Sequence, residues 1–289
     1  MQPYERRSRG GQAVLPANPP LSGLPETTNG TLLGGQIAYH QFRQGYRTGL
    51  EPVLMAALVP ARPGERVLEA GCGAGAGLLC LTARIHGLTA TGVELDPETA
   101  ALVRANLILN ERTGVEIVHG DISDAPAMFR NRAPGFEHRF DHVFANPPWH
   151  RVDTTPSPES KRDRARRAGK DTCQKWIATL ASLLRQKGSL TLALPTSRLA
   201  EALAVCERVR IGSTEIVPLW AHREEEARII LVRGRLGGNA GSRILPGLVL
   251  HQPNGSFTPE AEAILRAGHP LFPNAFRKAC PAPVPPPLT

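Results

Sequence analysis

Four consecutive residues, Asn146-Pro147-Pro148-Trp149, place two hydrogen-bond acceptors and an aromatic plane within reach of one planar amino group. An exocyclic or amide nitrogen is a poor nucleophile because its lone pair is delocalised. Acceptors on both of its hydrogens draw the nitrogen toward tetrahedral geometry and localise that pair. Asn146 offers a side-chain carbonyl oxygen for this, and the backbone carbonyl of Pro147 offers the second. The Pro-Pro pair stiffens the turn and removes competing N–H donors. Trp149 can stack on a base, worth roughly 1–3 kcal/mol, and Pro148 lines the same turn. A base held in a duplex or a folded RNA would have to be flipped out to reach them. Asn146, Pro147 and Trp149 are therefore the candidate catalytic residues, with Pro148 a candidate substrate contact.

A second constellation lies upstream. Gly71, Gly73 and Gly75 follow an apolar strand and precede a helical pattern in Glu69-Ala-Gly-Cys-Gly-Ala-Gly75. Glycines there let the backbone turn tightly and approach a ligand with no Cβ in the way, and the helix N-terminus presents unpaired N–H groups to it. Glu94 ends the next strand 23 residues past Gly71, near the interval of about 20 at which a carboxylate reaches ribose hydroxyls. Asp121, after the third strand, is placed to accept from an adenine amino group. The pattern Gly71-x-Gly73-x-x-Ala76 also satisfies a dinucleotide fingerprint, so the glycines alone permit NAD. The acidic Glu69 suits the cationic methionine part of S-adenosylmethionine better than a pyrophosphate, and the Asn-Pro-Pro-Trp turn has no evident task in hydride transfer. S-adenosylmethionine is thus the expected cofactor, and methyl transfer to a planar nitrogen the expected reaction.

Residues 151–170 contain almost no apolar side chain and gather Lys161, Arg162, Arg164, Arg166 and Arg167. Such a loop can clamp phosphates, each contact adding salt-dependent affinity, although a solvated charged loop has the same composition. The net charge of +8 and pI near 9.7 agree with a polyanionic partner. Five cysteines without any Cys-x-x-Cys spacing read as reduced thiols rather than disulfides or a zinc site, so no metal is expected. No apolar run approaches the roughly 20 residues that cross a bilayer, and no apolar segment follows the basic N-terminus, so a cytoplasmic location is expected. Nothing bears on oligomeric state, for which a monomer is the default.

These groups need a sheet to position them. Strands are expected at Arg66–Ala70, Thr89–Leu95, Val115–His119, Phe140–Ala145, Ser189–Leu194, near Thr214–Leu219 and at Ala227–Val232. Helices are expected at Leu50–Leu58 behind a Thr48/Glu51 capping box, at Ala76–His86, from Pro97 to about Asn110, at Trp176–Gln186 closed by Gly188, and at Arg198–Val209. Trp176 is assigned to an apolar helix face. The alternation predicts an α/β fold: a Rossmann-like, seven-stranded sheet of the class I methyltransferase type, helices on both faces and the last strand antiparallel. Residues 31–275 read as one domain, between a Gly/Pro/Ser-rich arm over 1–30 and a Pro-rich tail over 276–289.

With these motifs in place the chain resembles the bacterial tRNA-Val adenine-N6 methyltransferases over roughly residues 30–270. The resemblance runs through Tyr46-Arg-Thr-Gly-Leu-Glu51, Glu69–Gly75, Val93–Asp96, Gly120-Asp121, Asn146–Trp149, Gly247–His251 and Thr258–Arg266. It implies N6 methylation of an adenine in tRNA. The chain departs from that family at Trp149, where Tyr or Phe is usual, and at Glu51, where many members carry Asp. The Asn-Pro-Pro-aromatic motif also serves enzymes acting on ribosomal RNA guanine, DNA adenine or a release-factor glutamine. A non-catalytic RNA-binding protein of the same fold is the remaining alternative.

Overall fold

The stretch Arg66–Ala70 shows no polar–apolar alternation: Val67, Leu68, Glu69 and Ala70 are all buried. A strand covered on both faces belongs in a parallel sheet with helices above and below. That is what the structure, a computed structural model, contains; it describes residues 21, 23–45, 47–130, 140–148 and 172–272. The strands are β1 (Thr27–Leu32), β2 (Ile37–Phe42), β3 (Arg66–Ala70), β4 (Thr89–Glu94), β5 (Val115–His119), β6 (Phe140–Ala145), β7 (Leu184–Pro195), β8 (Ile211–Trp220), β9 (Ile229–Leu236), β10 (Arg243–Ile244) and β11 (Leu248–Val249). The helices are α1 (Glu51–Leu58), α2 (Ala76–Arg84), α3 (Pro97–Leu109), α4 (Ala125–Arg130), α5 (Thr172–Ser182), α6 (Leu199–Arg208) and α7 (Pro259–Leu265).

The main sheet has nine strands in the order β10-β8-β9-β7-β6-β3-β4-β5, with β11 also paired to β8. From β7 to β5 all neighbours are parallel, whereas β9 enters antiparallel between β7 and β8. The seven expected strands are β3 to β9, and β10 and β11 extend the sheet at its β8 edge. One face packs on α1, α2, α3 and α7, and the other on α4, α5 and α6. At the sheet edge where β6 begins, the buried ring of His142 lies 2.7 Å from the Ser189 hydroxyl and 2.8 Å from Glu65. Burial lowers its pKa from the ordinary imidazole value against the pull of Glu65, and the ring ties β6, β7 and the entry to β3.

Helix α1 is buried along most of its length, so the carbonyls orphaned at its C-terminus need protein partners. All four find them. Arg84 from the end of α2 donates to the carbonyls of Ala56 and Val59 at 2.7 and 2.9 Å. Arg233 on β9 donates to that of Leu58 at 2.7 Å, and the Leu271 N–H to that of Ala57 at 3.0 Å. The two guanidinium groups also complement the negative end of the helix.

Several expectations are corrected. Residues 27–30, placed in the arm, belong to β1, which forms an antiparallel hairpin with β2. The capping box does not form: the Thr48 hydroxyl pairs with the Tyr39 hydroxyl at 2.7 Å, and Leu50 starts α1 with no side-chain cap. The helix expected over Trp176–Gln186 runs instead over Thr172–Ser182. Leu183 and Leu184 are both buried, the Leu183 carbonyl accepts from Phe140 N–H at 2.8 Å, and the chain is in β7 by Leu184. Gly188 serves close approach rather than helix closure, since a Cβ there would lie 2.9 Å from the Asp141 carbonyl. The expected boundaries of β3, β5 and β6 are the observed ones.

Candidate active site

Because β7, β6, β3, β4 and β5 are parallel, their C-terminal ends share one edge of the sheet. The strand order reverses between β3 and β6, the position at which open α/β sheets gather ligands. Ala70 pairs with Ala145, so Gly71 and Asn146 leave neighbouring strands side by side. Ala70 also pairs with Val93, and Glu94 with His119, which brings Glu94 and then Asp121 into the same row. Gly71, Glu94, Asp121 and Asn146 therefore lie along one edge of the sheet.

Gly71 and Gly73 both have positive φ, +64° and +55°, which glycine adopts without strain. The N–H groups of Gly71 and Cys72 donate to the Val93 carbonyl at 2.8 and 3.1 Å, folding the turn over the end of β4. A Cβ on Gly71 would come 3.2 Å from Cη2 of Trp176, whereas one on Gly73 would meet no atom of the described residues within 4 Å. Gly75, at φ +91°, caps α2, and a Cβ there would lie 2.5 Å from Val103.

The acids bracket this turn. Glu69 is buried beneath it at 4% exposure and accepts from Leu78 N–H in the first turn of α2 at 2.8 Å. Burial pushes its pKa well above the carboxylate range; the Leu78 N–H counters and the Glu94 charge adds to the rise. Glu94 accepts from Gly73 N–H through one oxygen and from Asp96 N–H through the other, both at 2.9 Å. Burial raises its pKa too, against those two donors. Asp121 is exposed after β5, and one of its oxygens accepts from Ser123 N–H at 2.8 Å.

These residues fit S-adenosylmethionine. The face of Gly73 is open, Glu69 supplies an acid under the turn, and each Glu94 oxygen keeps a second lone pair for a ribose hydroxyl. On the substrate side Asn146 and Pro148 are half-buried and Pro147 is buried. Trp149, Lys161, Arg162, Arg164, Arg166 and Arg167 lie outside the described residues, as does Tyr46. Sequence reasoning missed Gly77, where a Cβ would fall 2.2 Å from a Glu69 oxygen. Trp176, assigned to an apolar helix face, packs against the core as expected and also brings its ring edge to Gly71.

A parallel sheet with one antiparallel strand inserted beside β7, a glycine turn after β3 and an acid ending β4 define a class I S-adenosylmethionine-dependent methyltransferase. The chain belongs to the family described as N-6 DNA Methylase, which matches residues 52–205. It is 27% identical over 240 residues to a tRNA1(Val) (adenine(37)-N6)-methyltransferase of Porphyromonas gingivalis, covering 80% of this chain and 90% of that protein. An enzyme of the same description from Yersinia pestis is also 27% identical, over 79% of this chain and 91% of its own. Among solved structures, a predicted O-methyltransferase from Agrobacterium tumefaciens shares the fold with a TM-score of 0.60 and 24% identity, over 76% of this chain and 97% of that one.

Proposed function

We propose that this protein methylates the N6 amino group of an adenine in tRNA. The observation that supports the reading is the pairing of Ala70 with Ala145, which leaves Gly71 and Asn146 side by side at the ends of neighbouring strands. The two relatives described as tRNA adenine-N6 methyltransferases support the choice of substrate, and the cluster of basic residues at 161–167 supports a polyanion.

S-adenosylmethionine supplies the methyl group on a positively charged sulfur. Gly71, Gly73 and Gly75 cradle it, Glu94 takes the ribose hydroxyls, Asp121 the adenine amino group, and Glu69 faces the cationic end. The Asn146 side-chain oxygen and the Pro147 carbonyl accept the two hydrogens of the target amine, localising its lone pair toward the methyl carbon. Trp149 stacks on the flipped base, Pro148 lines its pocket, and Lys161, Arg162, Arg164, Arg166 and Arg167 bind flanking phosphates. Positioning the nitrogen in line with the methyl group supplies most of the acceleration.

The test is methyl transfer from labelled S-adenosylmethionine to tRNA that lacks its own modification, followed by nucleoside mass spectrometry. The expected product is N6-methyladenosine in one isoacceptor, and label in any other nucleoside would replace the substrate. Asn146→Ala is expected to lower turnover by about 10²-fold or more, as loss of one preorganised polar group typically does, with cofactor affinity nearly unchanged. Turnover equal to that of the unmodified protein would remove Asn146 from the chemistry.

A further inference from the structure

Helix α3 reaches the cofactor turn through a side chain with no exposed surface. Asn106 is 0% exposed. Its Oδ1 accepts from His40 N–H at 2.9 Å, and its Nδ2 donates to the His40 carbonyl at 2.8 Å and to the Ala74 carbonyl at 2.9 Å. One turn later Asn110 makes the same two-way clasp on Ala38, at 3.0 and 2.7 Å. Its Nδ2 also donates to the Asn106 carbonyl within α3, at 2.7 Å, rather than to the turn. The two amides thus stand in for a strand along the outer edge of β2, satisfying backbone groups that β1 does not reach.

Of the two amides, Asn106 is the one that joins that clasp to the glycine turn. The Ala74–Gly75 peptide is gripped on both sides: Asn106 holds its carbonyl, and its N–H donates to the Cys72 carbonyl at 2.9 Å. Val103, one turn earlier on α3, fills the space above Gly75, where α2 begins. The hairpin, α3 and the turn therefore meet at one amide.

We propose that Asn106 is a positioning residue for S-adenosylmethionine, coupling the β1–β2 hairpin to the glycine turn so that the turn keeps its cofactor-receiving shape while the hairpin is docked. The coupling concerns the cofactor alone and holds whatever the methyl acceptor is. Asn110→Ala is the internal control, because it removes an equivalent clasp without touching the turn.

Calorimetric titration of the full chain with S-adenosylmethionine tests this. Asn106→Ala is expected to raise the cofactor Kd about tenfold, the effect of losing one hydrogen bond that holds the turn. Asn110→Ala is expected to stay within about twofold while losing comparable thermal stability, since both variants unclasp β2. Equal Kd changes in the two variants, or none in Asn106→Ala, would overturn the proposal. If Asn106→Ala does not fold, hydrogen exchange on the unmodified protein decides. Saturating cofactor is expected to slow exchange at the His40 amide together with the turn, and protection confined to residues 71–78 would overturn the coupling.

Discussion

At Gly71 two constraints coincide, a φ of +64° and a tryptophan ring edge where a Cβ would stand. Gly71→Ala is expected to cost about 1–2 kcal/mol through the left-handed backbone alone, and to weaken cofactor binding. Adding Trp176→Phe should recover only the steric part, which denaturant unfolding of the single and double variants would separate; full recovery would show that φ contributes nothing. That Gly71 and Glu94 stand at adjacent strand ends was legible in the sequence, because it follows from spacing. The contact of Trp176 with Gly71 and the clasp made by Asn106 were not. Each of these two residues sits on an expected helix, but which neighbour a helical side chain meets depends on how the helix lies across the sheet. Gly77 was equally hidden, because the acid that excludes a side chain there lies across the turn.

At the element scale, short parallel strands announced themselves. Phe140–Ala145 and Val115–His119 are apolar-rich runs that end at Asn-Pro and Gly-Asp signals, so their bounds could be read directly. The β1–β2 hairpin went unread because its Gly34-Gly35 turn lies next to a polar, Gly-rich arm that masks the pattern of Ile37–Phe42. The end of α5 was misplaced because Arg185-Gln-Lys187 continues a helical composition into a strand, where Lys187 sits at φ +63°. The carbonyl end of α1 depends on Arg233, 7% exposed and ion-paired to Glu215. Arg233→Met is expected to cost about 3 kcal/mol, because it strands a partly buried carboxylate and the Leu58 carbonyl. Arg243 still reaches Glu215 and places the loss at the low end of that class. The double variant Arg233→Met/Glu215→Leu should recover much of it in urea unfolding; no recovery would mean that the lost carbonyl contact dominates.

For the molecule as a whole, the two raised carboxylates at the glycine turn link stability to pH. Their folded pKa values lie above the ordinary 4.5, so the cofactor-free fold loses stability as pH rises from there through the raised values. With the cationic end of S-adenosylmethionine beside Glu69 as proposed, binding offsets that loss as the carboxylate ionises. The rise in Tm caused by saturating S-adenosylmethionine is therefore expected to grow as pH rises above 4.5 and to flatten in Glu69→Gln. The same increment at every pH would exclude this linkage. No helix among the described residues is long and apolar enough to cross a membrane. The inserted position of β9 has a consequence for the order in which the chain can assemble as it leaves the ribosome. Strand β8 is made before β9 yet touches β7 only through it, and α1, made early, has its last carbonyls answered by Arg84, Arg233 and Leu271. The cofactor half, β3 to β6, can pair as it emerges, whereas the β8 edge must wait for residues 229–236. Ribosome-bound chains stalled between those points would carry a formed nucleotide edge and an unpaired β8, the interval in which a chaperone has most to protect.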